Sequence, residues 1–141
     1  MIPALRVKLE HEMSQLPFRS SAESAGLDIY AIEDCQCIPN IFQKIDVGLC
    51  MAIPCGYFGM VANRSSMIVK EIEVQAGIID ADYRGRLFIC LKNRGQNTYN
   101  IKQGDRIAQL LILPIFKGSI INDDVLSQTI RGIEGFGSSG K

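Results

Sequence analysis

Ala76-Gly77-Ile78-Ile79-Asp80-Ala81-Asp82-Tyr83-Arg84-Gly85 reads as two short apolar arms around a polar bend. Gly77 and Gly85 mark points where backbone must bend or approach a neighbour closely. Ile78 and Ile79 are strand formers, and Leu87-Phe88-Ile89-Cys90-Leu91 is a second strand-like run. The spacing predicts a hairpin with Asp80, Asp82 and Tyr83 at or near its bend. Two carboxylates and a phenol then stand at an exposed mouth. An Asp-rich turn and a reactive site are both compatible with this stretch alone.

Outward from it, the chain alternates strand-like runs with turn signals. Residues 4–9 alternate apolar and polar, as a half-buried strand does. Leu27, Ile29 and Ala31 alternate with Asp28 and Tyr30. That places Asp28 on a strand, facing away from the apolar residues, where it reads either as an exposed edge aspartate or as a site carboxylate. Short runs within 42–51 and the run 57–62 are further strands. Arg64-Ser65-Ser66 followed by Met67-Ile68-Val69 predicts the start of a short helix with Ser65 or Ser66 as its cap. An arginine beside two hydroxyls suits phosphate oxygens, although a capped helix with a solvated arginine has the same sequence. Gly104-Asp105 is a turn signal, and the strand-like run 106–113 follows it. Gln109 is the polar residue within that apolar run, and a buried amide must find partners, in backbone or in a ligand. Many short strands with Gly and Pro turns, and one short helix, give an all-β sandwich or barrel.

The chain has 141 residues, 47 % of them hydrophobic and 21 % charged, with zero formal net charge. One domain is expected. Zero net charge argues against general nucleic-acid binding. With one histidine, His11, five cysteines and no C-x-x-C pair, a Cys/His zinc site is not expected. The odd thiol count and the absence of a signal-peptide pattern point to a reducing, intracellular compartment, cytoplasmic or nuclear. No uninterrupted apolar stretch is long enough to span a bilayer, so a membrane partner is not expected. The last twelve residues are rich in glycine, which predicts a mobile tail. Gly135 to Lys141 fits the phosphate-loop spacing, but that motif needs a following helix and is set aside.

Five segments in order carry a stronger signal together: Ala25-Gly26-Leu27-Asp28-Ile29-Tyr30-Ala31; Arg64-Ser65-Ser66; Gly77 to Gly85; Gly104-Asp105-Arg106-Ile107-Ala108-Gln109-Leu110; and Arg131-Gly132 with Gly135-Phe136-Gly137-Ser138-Ser139-Gly140. In this order they resemble the trimeric dUTPase family, the dUTP diphosphatases. The resemblance implies a jelly-roll-like β subunit over residues 1–129 and a C-terminal arm over 130–141 that closes over an active site. It also implies a homotrimer with three shared sites. One subunit would supply the phosphate-side motifs, a second the uracil hairpin and a third the arm.

The activity implied is hydrolysis of dUTP to dUMP and pyrophosphate by water attack on the α-phosphorus, with Mg²⁺ on the triphosphate. This limits uracil in DNA and supplies dUMP for dTMP synthesis. By the same resemblance Asp80 would activate the water and touch the 3′-hydroxyl. Asp28 would hold a metal-bound water, and Tyr83 would exclude a 2′-hydroxyl. Backbone around Gly77, Ile78 and Ile79 would read uracil. Arg64, Ser65, Ser66 and Gln109 would hold α- and β-phosphate oxygens, and Arg131 the γ-phosphate. Phe136 would stack on uracil while Gly137, Ser138 and Ser139 wrap the phosphates. Asp82 is assigned to holding the bend. Asn63, Ser66 and Glu134 depart from the usual family residues, proline, glycine and glycine. A dCTP deaminase, or a bifunctional deaminase–diphosphatase, shares the fold. A nucleotide-dependent regulatory binding protein is the alternative from another class.

Overall fold

The computed structural model describes residues 3–133 and 135. Ten strands and one helical turn follow in order: β1 (Arg6–Leu9), β2 (Leu27–Tyr30), β3 (Cys35–Cys37), β4 (Phe42–Ala52), β5 (Tyr57–Ala62), α1 (Ser65–Ile68), β6 (Ile72–Ala76), β7 (Ile78–Ile79), β8 (Arg86–Asn93), β9 (Tyr99–Ile101) and β10 (Arg106–Pro114). They form two four-stranded sheets, ordered β1-β4-β8-β6 and β2-β10-β5-β7, and a small β3-β9 pair. All pairings between these strands are antiparallel. The fold is the all-β, jelly-roll-like sandwich that the sequence predicts.

Alternation builds the core. Along β8, Leu87, Ile89, Leu91 and Asn93 are buried while Arg86, Phe88, Cys90 and Lys92 are less so. Val47 and Leu49 of β4, Ile29 of β2, Val61 of β5 and Leu110 of β10 join the same cluster, so both sheets share one core. Each such aliphatic side chain contributes about 1.5–3 kcal/mol on burial. Asn93 is the buried polar exception. Its Nδ2 donates to Cys37 O at 2.7 Å and Asn97 O at 2.8 Å, and its Oδ1 accepts from Gly95 N. These bonds offset its desolvation.

The half-buried strand expected over residues 4–9 is present, with Leu5 and Val7 packed against the core, while Leu9 is exposed because β1 lies at a sheet edge. Two expectations are corrected here. The helix cap is Arg64, in extended conformation, and no side chain caps the turn. Ser65 is instead the first helical residue, so neither serine serves as the cap. The stretch 76–85 does not fold as a hairpin with paired arms. β7 pairs with β5, through Gly59↔Ile79 and Met60↔Ile78, whereas β8 pairs with β4 and β6. The bend at 80–85 therefore carries the chain from one sheet to the other. Gly77 makes this possible: a Cβ there would lie 2.5 Å from Val61 O, the strand to which Gly77 O is bonded at 2.7 Å. Among the described residues no helix is long and apolar enough to cross a membrane.

Candidate functional site

Asp28 is the centre of the first cluster. It is buried, at 8 % exposure, although β2 is a sheet edge, because residue 18 bridges to its backbone from the open side. The exposed-edge reading fails for that reason. Arg64 Nε donates to Oδ1 at 2.9 Å, and an Arg106 guanidinium nitrogen donates to Oδ2 at 3.2 Å. Arg64 also reaches Ser66 Oγ at 3.1 Å and Arg106 O at 3.2 Å. One carboxylate thus fixes two guanidinium groups, each of which keeps N–H donors beyond its bond to Asp28. Gln109 pairs with Asp28 in the β10–β2 register, and its Nε2 donates to Asn63 O at 2.6 Å. Its amide satisfies a backbone partner and still lines the cavity. A Cβ at Gly26 would collide with the Gln109 side-chain oxygen, so only glycine leaves that amide room.

These groups line a cavity of about 330 Å³ walled by Gly26, Asp28, Arg64, Ser65, Arg106 and Gln109. Ser66 faces an adjoining polar cavity of 240 Å³ that shares Arg64 and Arg106 and adds Lys70 and Tyr99. Converging cations, hydroxyls and an amide are the donor set for phosphate oxygens. Arg106 belongs to this set, and sequence reading missed it. The available signal was its place directly after the Gly104-Asp105 turn, where it reads as an ordinary strand-opening residue.

The second cluster is a separate cavity of about 300 Å³ lined by Gly77, Ile78, Ile79, Asp80 and Tyr83 together with Lys44, Arg86 and Phe88. Asp80 is exposed at its rim. The bend is held by Tyr83 N on Asp80 O at 3.1 Å, by Tyr83 Oη on Arg86 O at 2.9 Å, and by Arg84 on Ala81 O at 2.7 Å. No hydrogen bond of Asp82 contributes among the described residues, so the bend does not depend on that carboxylate. Lys44, Arg86 and Phe88 were also missed, since each reads as a solvated or apolar strand position.

The two cavities share no lining residue. Arg131 is exposed in the segment after β10. Phe136, Gly137, Ser138, Ser139 and Glu134 lie outside the described residues. The segment from Ile115 to Ile133 exposes Phe116, Ile120, Ile121, Val125, Leu126 and Ile130.

No group of three or more His, Cys, Asp or Glu that could hold a metal occurs among the described residues. Asp28 alone does not make a direct metal site. It retains carboxylate lone pairs beside its two arginine bonds, which suits a hydrogen bond to a water of Mg²⁺, a cation that keeps several waters.

Comparison with known proteins bears on the family. A family model described as dUTPase matches residues 12–140. A deoxyuridine 5′-triphosphate nucleotidohydrolase of Debaryomyces hansenii is 43 % identical over 98 % of this chain and 88 % of its own length. The mitochondrial human protein of that name is 41 % identical over 97 % of this chain and 55 % of its own length. Among solved structures, the dUTPase of Staphylococcus bacteriophage 80alpha with dUpNHpp superposes with a TM-score of 0.92 at 31 % identity, covering 99 % of this chain and all of that one. A variant dUTPase from phage phi11 of S. aureus, described as coordinating a structural Mg(II) ion, gives a TM-score of 0.81 at 28 % identity, over 87 % of this chain and 98 % of its own.

Proposed function

Because the chain belongs to the dUTPase family and is a dUTP diphosphatase that hydrolyses dUTP to dUMP and pyrophosphate, we propose that its two separate cavities are the two halves of one active site. The observation that carries this reading is the division itself. Phosphate-side donors and the bend at 80–85 open on cavities with no lining residue in common, which supports a site completed by a second copy of the chain. A homotrimer with shared sites satisfies this. The apolar side chains exposed along 115–133 give the C-terminal segment reason to pack on another copy.

The cavity at the 80–85 bend takes the nucleoside. Backbone of Gly77, Ile78 and Ile79 pairs with uracil, and a pyrimidine with the wrong edge leaves buried polar groups unpaired. Tyr83 packs on the deoxyribose where a 2′-hydroxyl would stand. Arg64, Ser65, Ser66, Gln109 and Arg106 hold α- and β-phosphate oxygens in the other half. Asp28 positions Arg64 and Arg106 for this, since it binds both at once. Asp80 accepts the proton of the attacking water at the α-phosphorus, for which an exposed carboxylate at the rim is suited. Arg131, Phe136, Gly137, Ser138 and Ser139 in the arm over 130–141 cover the γ-phosphate and base, excluding bulk water. Mg²⁺, when bound to the triphosphate, supplies charge neutralisation and fixes one conformer; Asp28 is the residue that would meet it, through water.

Release of pyrophosphate and of ammonia from dUTP, dCTP, UTP and dTTP tests the reading. Pyrophosphate from dUTP without ammonia from dCTP is expected. Ammonia from dCTP, or an inert dUTP, would overturn it.

A further inference from the structure

Cys55 lies in the turn that joins β4 to β5, and Lys117 follows the end of β10. Backbone brings the two together. β10 and β5 pair as far as Pro114↔Tyr57, and one bond continues beyond the ladder, with Ile115 N donating to Gly56 O at 2.9 Å. The turn is closed by Tyr57 N on Pro54 O at 3.1 Å, and Gly56 takes the positive φ of 90° there. Both chain segments are therefore held in place where Lys117 Nζ donates to Cys55 Sγ at 2.9 Å. Neither residue lines the cavities assigned to the nucleotide.

The pair is an activated nucleophile beside an amine. The Lys117 bond and charge hold the Cys55 thiol below its ordinary pKa, and the thiolate is the form that attacks an oxidant. Cys55 is exposed, whereas Cys37 is buried and Cys35, Cys50 and Cys90 are partly buried within strands. A small oxidant in solution meets Cys55 first. A sulfenic acid formed there has the Lys117 nitrogen already at contact distance, and a neighbouring group so placed reacts at high effective concentration.

We propose that Cys55 and Lys117 form a redox modification site, at which hydrogen peroxide joins the two side chains through a sulfur–nitrogen bond and ties the start of the C-terminal segment to the β4–β5 turn. The thiolate attacks a peroxide oxygen, the O–O bond breaks, and a sulfenic acid and hydroxide result. The hydroxide takes a proton from the Lys117 ammonium and becomes water. The free amine then attacks sulfur, the S–N bond forms, the S–O bond breaks, and a second water leaves. Sulfur is oxidised by two electrons and the peroxide is reduced by two. A dithiol reductant reverses the link by attack at sulfur, which releases the amine. The site is independent of the nucleotide reading and stands or falls without it.

The test treats the full chain with hydrogen peroxide at neutral pH and follows intact mass and non-reduced peptides by mass spectrometry. The product should be about 2 Da lighter than the starting chain, as condensation of a sulfenic acid with an amine requires. The peptide holding Cys55 should be joined to the peptide holding Lys117 and be released by dithiothreitol. Lys117→Arg keeps the positive charge and removes the nucleophilic amine. That variant should still oxidise at Cys55 but stop at the sulfenic acid, so dimedone should capture it severalfold more than it captures the wild-type chain. Both side chains are exposed, and unchanged melting temperatures would show that the variant is folded. Equal dimedone capture in the two proteins would overturn the proposal. So would a Cys55 that passes to sulfinic acid without joining Lys117, a disulfide in place of the Cys55–Lys117 link, or a Cys55 left unoxidised while other thiols react.

Discussion

Arg64 and Asp28 are bonded to each other, Nε to Oδ1 at 2.9 Å, across 36 residues of chain, in the cavity where Arg64 is to meet phosphate. The pair is mostly shielded, with side chains 21 % and 12 % exposed. Asp28 therefore acts first as a holder of arginines. Asp28→Asn keeps one acceptor and removes the charge that faces two guanidinium groups. It should destabilise the fold by about 1–3 kcal/mol, below the range for a fully buried pair. It should also raise KM for dUTP as Arg64 and Arg106 lose their orientation. Thermal unfolding and steady-state kinetics check this. An unchanged KM would mean the arginines hold their places without it.

Asp80 has a different environment and a different expected phenotype. It stands exposed and lines the cavity at the 80–85 bend, and it makes no ion pair among the described residues. Asp80→Asn should leave stability within about 0.5 kcal/mol and retain dUpNHpp binding. Turnover should fall by roughly 10²–10⁴-fold, the usual scale of a lost general base. Turnover at the wild-type rate would remove Asp80 from the chemistry.

How much of this was legible depends on whether a segment's structure is decided locally. Tyr57–Ala62 and the run 106–113 announced themselves, since a short apolar run bounded by Gly or Pro suffices to mark a strand. β3 and β9 did not: they are three residues each and exist because Cys35↔Ile101 and Cys37↔Tyr99 meet across the chain. The bend after Ile79 was found, but its partner strand was not, because pairing with β5 is a tertiary choice that no local pattern records. The same limit shaped the site. Asp28, Arg64 and Gln109 stood out as polar residues in apolar runs or beside hydroxyls. Arg106, Lys44 and Phe88 looked ordinary in sequence. Only the strand registers bring them to cavity walls.

The C-terminal arm is predicted to matter for turnover more than for stability. Deleting residues 131–141 removes Arg131 and the Gly/Ser/Phe segment and takes nothing from the shared core, which ends at Leu110 with Ile112 packed against it. The melting temperature should move by no more than a few degrees while kcat/KM for dUTP drops by orders of magnitude. Full activity of the truncated chain would refute a covering role.

The thiols should react in an order set by their surroundings. Lys117 Nζ donates to Cys55 Sγ at 2.9 Å, and this bond with the adjacent positive charge holds the exposed Cys55 thiol below its ordinary pKa. Burial pushes Cys37 up to about 11, and burial likewise raises Cys35. A depressed pKa increases the thiolate fraction at a given pH, and the thiolate is the nucleophile. At pH 7–8, iodoacetamide should label Cys55 first and Cys37 last, as followed by peptide mass spectrometry. Lys117→Met should slow Cys55 at pH 7, with the difference closing as pH rises through the ordinary thiol range. Labelling of Cys37 in the folded protein as fast as Cys55 would contradict the burial that defines it.

Shared sites make a prediction that no single-chain site does. Arg64→Ala damages the phosphate half and Asp80→Asn the nucleoside half, and each variant alone should be nearly inactive. If the two halves of a site come from different copies, mixed assemblies contain some sites with the phosphate half of an Asp80→Asn chain and the nucleoside half of an Arg64→Ala chain. Those sites are intact. Unfolding and refolding the variants together should then recover a sizeable fraction of wild-type turnover, with its extent following the mixing ratio. Refolding each alone should recover none. The separation of the cavities on one chain supports this outcome, and a mixture no more active than its parts would place both halves of the site within a single copy.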